Sequence, residues 1–597
     1  MNLSPRIYPA LGMVAAVLLA VAPFAHAQQR DPKLDKALQN AHGGSRERVI
    51  VRFRPGSESS VEQKVLSRGN RIFAKHPSIG AFTAELRADE LAAFARDPNI
   101  ETIGSDADVS PDATTSDTSI STNVLRATLG EAQSSKAGTG IGVAVIDSGI
   151  APIPAFNGRI TAFYDVTTGV PIATLPSDEY GHGTHVAGLI GANDSNYMGV
   201  APAVTFVGLK VLNKNGKGST SSVIAALEFA VANRARFNIQ VVNLSLGHDI
   251  LAPAADDPLV QAVESAVRAG LIVVVSAGNV GVNPNSGQVG YAGITSPGNA
   301  PSAITVGAVN TFGTVTHGDD DVAPYSSRGP TWFDAFAKPD VVAPGHALIS
   351  TTDVNSYLFK QYPNFDVTVN KRSYLKLSGS SMATAVTTGV VAAALEARNW
   401  ATSYYTVNPG RLTASEMKAM LQYTALPIHR ADGTTPDTLT QGTGEVNAEG
   451  SVRIAWLSAA LWASPTIATQ YPAFLVSTTT IADTPLRWAA QITWGQSSLG
   501  GPGLAISNTA AWATNIVWGD NVVWGDNIVW GDNIVWGDNI VWGDNIIWGD
   551  NVIWGENIVW GENIVWGDNI VWGDNIVWGE SLVDANSKVL GLNVLGW

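Results

Sequence analysis

Five stretches near the middle of the chain carry apolar, mostly β-branched residues with no polar alternation: 141–147, 204–211, 241–245, 271–275 and 303–307. Such runs predict strands buried on both faces. Between and after them, residues 220–236, 259–269 and 382–398 follow the pattern and composition of helices. Strands alternating with helices predict an α/β domain, a mostly parallel sheet with helices on both faces. In such sheets sites form beyond the carboxyl ends of the strands. Asp147, Ser245 and Asn279 all fall there.

The flanks read differently. Residues 48–53 and 81–86 alternate like strands, and 60–67 and 88–96 suggest short helices, giving a small α+β unit over 46–108 behind a polar linker at 28–45. Residues 1–27 combine Arg6, an apolar run at 15–22 and Ala25-His26-Ala27, the pattern of a signal peptide cleaved after Ala27. The run is shorter than the ~20 residues needed to cross a bilayer. At the other end, residues 456–514 form a connecting region rich in Ala, Thr and Trp. From 515 to 580 a hexapeptide, Asn-Ile-Val-Trp-Gly-Asp with small variations, repeats eleven times before a tail at 581–597. A six-residue period returns to one face of a strand but rotates by ~240° around a helix. Short strands turning at Gly-Asp-Asn fit best, either as stacked rungs of a solenoid or as small hairpins; the alternative is a disordered low-complexity tail.

Length and charge narrow the classes. A chain of 597 residues suggests several domains. The net charge of −15 argues against nucleic acid as a partner. The repeat holds eight Asp, three Glu and no basic residue, so most of that charge lies in the tail. Rungs stacked at ~4.8 Å would set like charges against one another, inviting cations or staggered acids. Cysteine is absent, which excludes disulfides and Cys-ligated zinc but is compatible with export, because a large core needs no staples.

The chemistry centres on Lys-Leu-Ser-Gly-Ser-Ser-Met-Ala-Thr-Ala at 376–385. Ser381 there precedes a long helical run, where backbone N–H groups and the macrodipole favour a developing negative charge. Alone, the stretch reads equally as a Ser-rich helix cap. Two further segments change that reading: 141–149, ending in Asp147-Ser-Gly, and Gly181-His182-Gly-Thr-His185-Val-Ala-Gly188. Their order is Asp, His, Ser. Over roughly residues 118–455 the chain resembles the subtilisin-like serine peptidases, the subtilase family. Tyr-Ser-Ser-Arg-Gly-Pro at 325–330, Lys-Pro-Asp-Val-Val-Ala-Pro-Gly at 338–345 and Gly-Thr-Gly-Glu-Val-Asn-Ala at 442–448 strengthen the resemblance.

The resemblance implies a peptidase domain over 109–455, with Ser381 as nucleophile, His182 as general base and acid, and Asp147 as the orienting carboxylate. Asn279, in Ser-Ala-Gly-Asn after the strand at 271–275, would donate to the oxyanion beside the Ser381 N–H. Ser245, Leu246 and Gly247 would line the primary pocket, and Gly216, Lys217 and Gly218 would offer an edge to an extended peptide. No acid can be placed at the pocket base, so apolar or mixed side chains are expected before the cut. His185 is assigned to packing. Residues 46–108 resemble the family's inhibitory propeptide, an intramolecular partner removed by a cut between about 109 and 125. Catalysis would need no cofactor. Structural calcium is assigned to no residue, since the segment at 193–196 is shorter than the calcium loop of some members. Ala385 and Val386 stand where the family usually has Pro and often has His, which implies altered helix packing.

The expected function is a secreted serine endopeptidase acting on proteins or peptides. The alternative is a surface or adhesive protein, making cell-surface contact through its repeat, whose peptidase domain serves only its own maturation.

Overall fold

The computed structural model describes residues 31–500, apart from 42, 113–123, 131–134, 283–287, 409, 431, 464–475 and 495–496, together with three short strands beyond residue 550. The signal-peptide stretch and nearly all of the hexapeptide array lie outside the described residues.

A nine-stranded sheet organises the main domain. Across it run Ile304–Asn310, Ile272–Ser276, Ile239–Leu244, Gly142–Asp147, Thr205–Lys210 and Ile160–Asp165, all parallel, with Val341–Pro344 also paired to Ile304–Asn310. Asp321–Val322 and Ile172–Ala173 add short antiparallel edges. The alternation of side chains along each strand divides the core. Val143, Val145 and Val274 face the helices His182–Gly191 and Ser380–Tyr405, whereas Ala144, Ile146 and Val275 face Thr220–Asn233 and Pro258–Arg268. This is the expected α/β architecture, and it explains the continuous apolar runs: neither face of these strands meets water.

The helix starts obey local chemistry. Asp257 caps Pro258–Arg268 by accepting from the N–H groups of Leu259 and Val260, with Pro258 at the first helical position. Ser219 caps Thr220–Asn233 through Ser222. Ala385 and Val386 are fully buried in the 26-residue helix Ser380–Tyr405, where their small and branched side chains fill the core.

The N-terminal unit is an antiparallel sheet in the order Arg71–His76, Ala81–Arg87, Arg46–Phe53, Ile100–Ser105, packed on the helix Glu58–Ser67. Sequence patterning missed two of these strands. Arg71–His76 is half-exposed with Arg71 and Lys75 along it, and Ile100–Ser105 carries Glu101, Thr102 and Gly104 among its apolar residues. The helix expected at 88–96 is a 3₁₀ turn, Ala88–Glu90, followed by the short helix Leu91–Ala95. The linker assignment for 28–45 also needs correction. Leu38 is buried in the core of this unit, and Asp35 accepts from the N–H of Leu38 and from the N–H and hydroxyl of Ser105. Residues 31–41 are therefore part of the unit.

Its sheet docks on the two helices Thr220–Asn233 and Pro258–Arg268. The Asp106 carboxylate accepts from Ser221 N at 2.7 Å and Ser221 Oγ at 2.8 Å, at the positive end of the first helix, and Arg48 bonds the same carboxylate at 2.6 Å. Ser78 donates to Glu228 from both its N–H and its hydroxyl.

A second boundary moves at the other end. The helix Ala448–Ala463 packs along Ser380–Tyr405, and the hairpin Thr478–Ile481/Thr484–Arg487 follows it. Ile481, Trp488 and Ile492 are buried in the main core, and Gln422 bonds both the N–H and the carbonyl of Thr493. The region taken as a connector thus belongs to the main domain as far as about residue 493.

Beyond it, Val552–Ile553, Ile570–Trp572 and Lys588–Leu590 pair in parallel, Val552 with Ile570 and Ile570 with Lys588. Among the described residues no helix is long and apolar enough to cross a membrane.

Candidate active site

Asp147 ends the central strand Gly142–Asp147, and His182 is the first residue of the helix His182–Gly191. The two elements touch closely. A side chain on Gly183 would collide with the Gly149 carbonyl, so that position has room only for glycine. Both oxygens of Asp147 face His182 Nδ1, at 2.8 and 3.0 Å, and both side chains are fully buried. This places the ring proton on Nδ1 and leaves Nε2 as the basic nitrogen; Nε2 is buried and has no hydrogen-bond partner. Burial opposes charge on the ring, but the attraction and hydrogen bond of Asp147 outweigh it, with Asp178 and Asp112 adding to them. The His182 pKa is raised above its ordinary value.

Asp178 is a residue that sequence reading passed over. Its buried carboxylate accepts from Gly181 N, Thr184 N, Thr184 Oγ1 and Ser148 Oγ, all within 2.8 Å. Ser148 Oγ in turn accepts from Gly183 N. The start of the His182 helix is thereby tied to the end of the Asp147 strand. The signal available was an acid four residues before the histidine.

Ser381 lies in the first turn of Ser380–Tyr405. Its hydroxyl donates to Ser245 O at 2.9 Å, while Ser245 Oγ donates back to Ser381 O at 3.0 Å. Asn279 Oδ1 accepts from Ser380 N at 3.0 Å, which identifies the other end of the amide as donor; Nδ2 is buried and unpartnered. Two buried polar atoms, His182 Nε2 and Asn279 Nδ2, are thus left without a hydrogen-bond partner, and the Ser381 hydroxyl bonds Ser245 O rather than His182.

The cleft beside them holds a strand of the same chain. Asp108–Pro111 runs antiparallel between two edges, with Val109 opposite Gly218 and Ser219 opposite Asp108 on one side, and with Ser110 opposite Gly247 and Pro111 opposite Leu246 on the other. Asp112 N donates to Ser245 O at 3.4 Å, and Asp112 O accepts from Ser381 N at 3.2 Å. Ser245, Leu246, Gly247 and Gly218 therefore all contact this segment. Gly216 and Lys217 do not pair with it. They form the turn beneath the edge: Gly216 has φ +71° and lies against the Tyr180 ring, and Lys217 closes onto Asn213.

The side chain that follows this strand beside Ser245 is an acid, Asp112. Ser276 Oγ donates to Asp112 Oδ2 at 2.6 Å. Burial pushes the Asp112 carboxyl up to about 6, with the Ser276 bond and the charges of His182 and His248 pulling the other way.

Three other polar groups have structural roles. His185 Nε2 lies 3.2 and 2.9 Å from the carbonyls of Leu348 and Leu375, and burial takes its pKa down to about 3, so it is a neutral packing residue. Asp194, in the segment considered for calcium, accepts from two backbone N–H groups, from Tyr374 and from Arg372, whose guanidinium supplies positive charge there. His317 lies between Asp320 at 2.8 Å and Glu445 at 3.3 Å. Burial disfavours its charge, yet the two carboxylates drive its pKa up to about 11.

This arrangement defines a class. The subtilase family model matches residues 138–451, more than half of the chain, and the chain belongs to that family. Serine protease AprX of Bacillus subtilis (strain 168) is 38% identical over 332 residues, 53% of this chain and 66% of that protein. M-protease of Shouchella clausii (strain KSM-K16) is 32% identical over 357 residues, 59% of this chain and 79% of that one. Subtilisin E of Bacillus subtilis (strain 168) is 37% identical over 224 residues, 37% of this chain and half of its own length. The match to AprX therefore stops just short of two thirds of that relative. Among solved structures, fervidolysin from Fervidobacterium pennivorans, a keratinolytic enzyme related to subtilisin, shares the fold with a TM-score of 0.52 at 22% identity, covering 69% of this chain and 61% of that one.

Proposed function

We propose that the protein is an exported serine endopeptidase, held inactive by residues 31–112 of its own chain and matured by their removal. The observation that carries this reading is the strand in the cleft, which brings a peptide carbonyl to the backbone N–H of Ser381. Export rests on the signal-type N-terminus.

The mechanism is built from the atoms present. The Ser381 hydroxyl turns from Ser245 O to His182 Nε2, which takes its proton as the oxygen attacks the carbonyl carbon. The oxyanion is stabilised by the Ser381 N–H and Asn279 Nδ2, a type of donor worth ~3–4 kcal/mol of barrier in subtilisin. Asp147 keeps the ring in the reactive tautomer and stabilises the imidazolium. His182 then gives its proton to the leaving amine, and water repeats the sequence on the acyl-enzyme.

The mature enzyme is expected to hydrolyse unfolded casein, and residues 31–112 supplied as a separate chain are expected to inhibit it at micromolar concentration. No hydrolysis would reject the peptidase reading. Hydrolysis without inhibition would reject only the role given to the N-terminal unit.

The raised His182 pKa gives a sign to the pH profile. The base must be neutral, so kcat/KM should fall on acidification with its midpoint above the ordinary histidine value of ~6.5. A profile flat from pH 5 to 8 would point to a different base.

A further inference from the structure

The backbone bonds of the cleft strand fix more than the presence of an inhibitor. Asp112 occupies the place of the residue on the acyl side of a scissile bond: its N–H meets Ser245 O, its carbonyl meets Ser381 N–H, and Ser110 stands opposite Gly247. Val109 anchors this register from the other end, fully buried in a cluster that includes Leu212 and Leu246. A slip by one residue would put another side chain in the pocket and turn Val109 out of that cluster.

What receives the Asp112 side chain is a built polar contact. Ser276 ends the strand Ile272–Ser276 and is almost fully buried, so its hydroxyl lacks the free access to water of a surface serine. In the structure that hydroxyl donates to Asp112 Oδ2 at 2.6 Å. An apolar side chain in the same pocket would leave the donor unmatched, which is the condition under which polar pockets discriminate strongly. Burial is the largest influence on the Asp112 carboxyl and opposes its charge, and the Ser276 hydrogen bond is the first of the influences that offset it.

We propose that Asp112–Ala113 is the maturation bond, and that the pocket beside Ser381 selects aspartate on the acyl side through the Ser276 hydroxyl. The inference rests on the peptidase reading above and adds the bond cut and the substrate class. In this step Ser381 Oγ bonds to the Asp112 carbonyl carbon as its proton passes to His182 Nε2. The C–N bond to Ala113 breaks, and that proton leaves on the Ala113 amine. Water then hydrolyses the ester, leaving a carboxylate at Asp112 and a free Ser381 hydroxyl.

The test uses the full-length chain and short peptides. On maturation, mass spectrometry of the released N-terminal fragment should place its end at Asp112, and Asp112→Leu should slow maturation at least tenfold. Among acetyl-Val-Ser-Pro-Xaa-4-nitroanilides, kcat/KM should be greater for Asp than for Leu or Phe by roughly tenfold or more. Ser276→Ala should reduce that Asp-to-Leu ratio about tenfold. A first cut elsewhere, or Leu or Phe preferred over Asp, would overturn the proposal while casein hydrolysis and labelling of Ser381 by a serine-directed phosphonate persist. Loss of those two general activities would instead count against the peptidase reading itself.

Discussion

Ser381→Ala is expected to abolish peptide hydrolysis and to leave the precursor uncut, with its N-terminal unit docked as in the structure. The hydroxyl removed is the only group of this residue that forms a covalent bond to substrate in the proposed mechanism. The backbone N–H and the helix that presents it remain. In subtilisin, a relative, losing the nucleophile lowers kcat by about 10⁶-fold, with a residual rate owed to binding and the oxyanion donors. A similar fall is expected here. Stability should change little, because the lost hydroxyl bonds only Ser245 O while Ser245 keeps its own bond to Ser381 O. The measurements are turnover of casein, conversion of precursor on a gel, and thermal unfolding of the variant. Substantial turnover by a folded, pure variant would remove Ser381 from its assigned role. Cleavage by another protease during expression would appear as maturation without turnover, which separates the two processes.

The legible part of this molecule was the part where local pattern and tertiary environment agree. Strands such as Gly142–Asp147 are buried on both faces, so their composition alone declared them. The residues at their carboxyl ends carry chemistry because the fold opens there. The less legible parts depend on partners distant in sequence. Arg71–His76 is a strand by virtue of its pairing with Ala81–Arg87, since its own residues alternate weakly. Asp178 looks like any loop acid until its four donors are assembled around it. Asp112 is similar: nothing in its neighbours marks it, and its place is set by the pairing of 108–111 with two edges far along the chain. Gly216 and Lys217 show the converse error. A Gly-rich turn beside an edge was read as the edge, although only the next residues along pair with the peptide strand.

Two truncations should separate the main domain from the C-terminal array. A chain ending at residue 500 is expected to keep the fold and to turn over short peptides at nearly the full rate, because every group of the proposed mechanism and the whole described core precede that point. A chain ending at Ala463 retains the helix Ala448–Ala463 but loses the hairpin and the residues after it. The second deletion uncovers the sites of Ile481, Trp488 and Ile492, takes the Trp488 ring away from Arg453, and leaves the buried Gln422 amide without Thr493. Three large apolar side chains at ~1.5–3 kcal/mol each amount to roughly 5–9 kcal/mol, an upper estimate on area grounds. That is comparable with the whole net stability of ~5–15 kcal/mol typical of a folded domain. The shorter chain should therefore be insoluble, or should unfold at a much lower denaturant concentration, and should lose activity with its fold. Both outcomes can be read from urea unfolding followed by tryptophan emission and from peptide turnover on the same samples. Equal stability of the two chains would return the domain boundary to the helix end and reduce 477–493 to a surface attachment. A fall in peptide turnover for the chain ending at 500 would instead give the hexapeptide array a part in shaping the cleft.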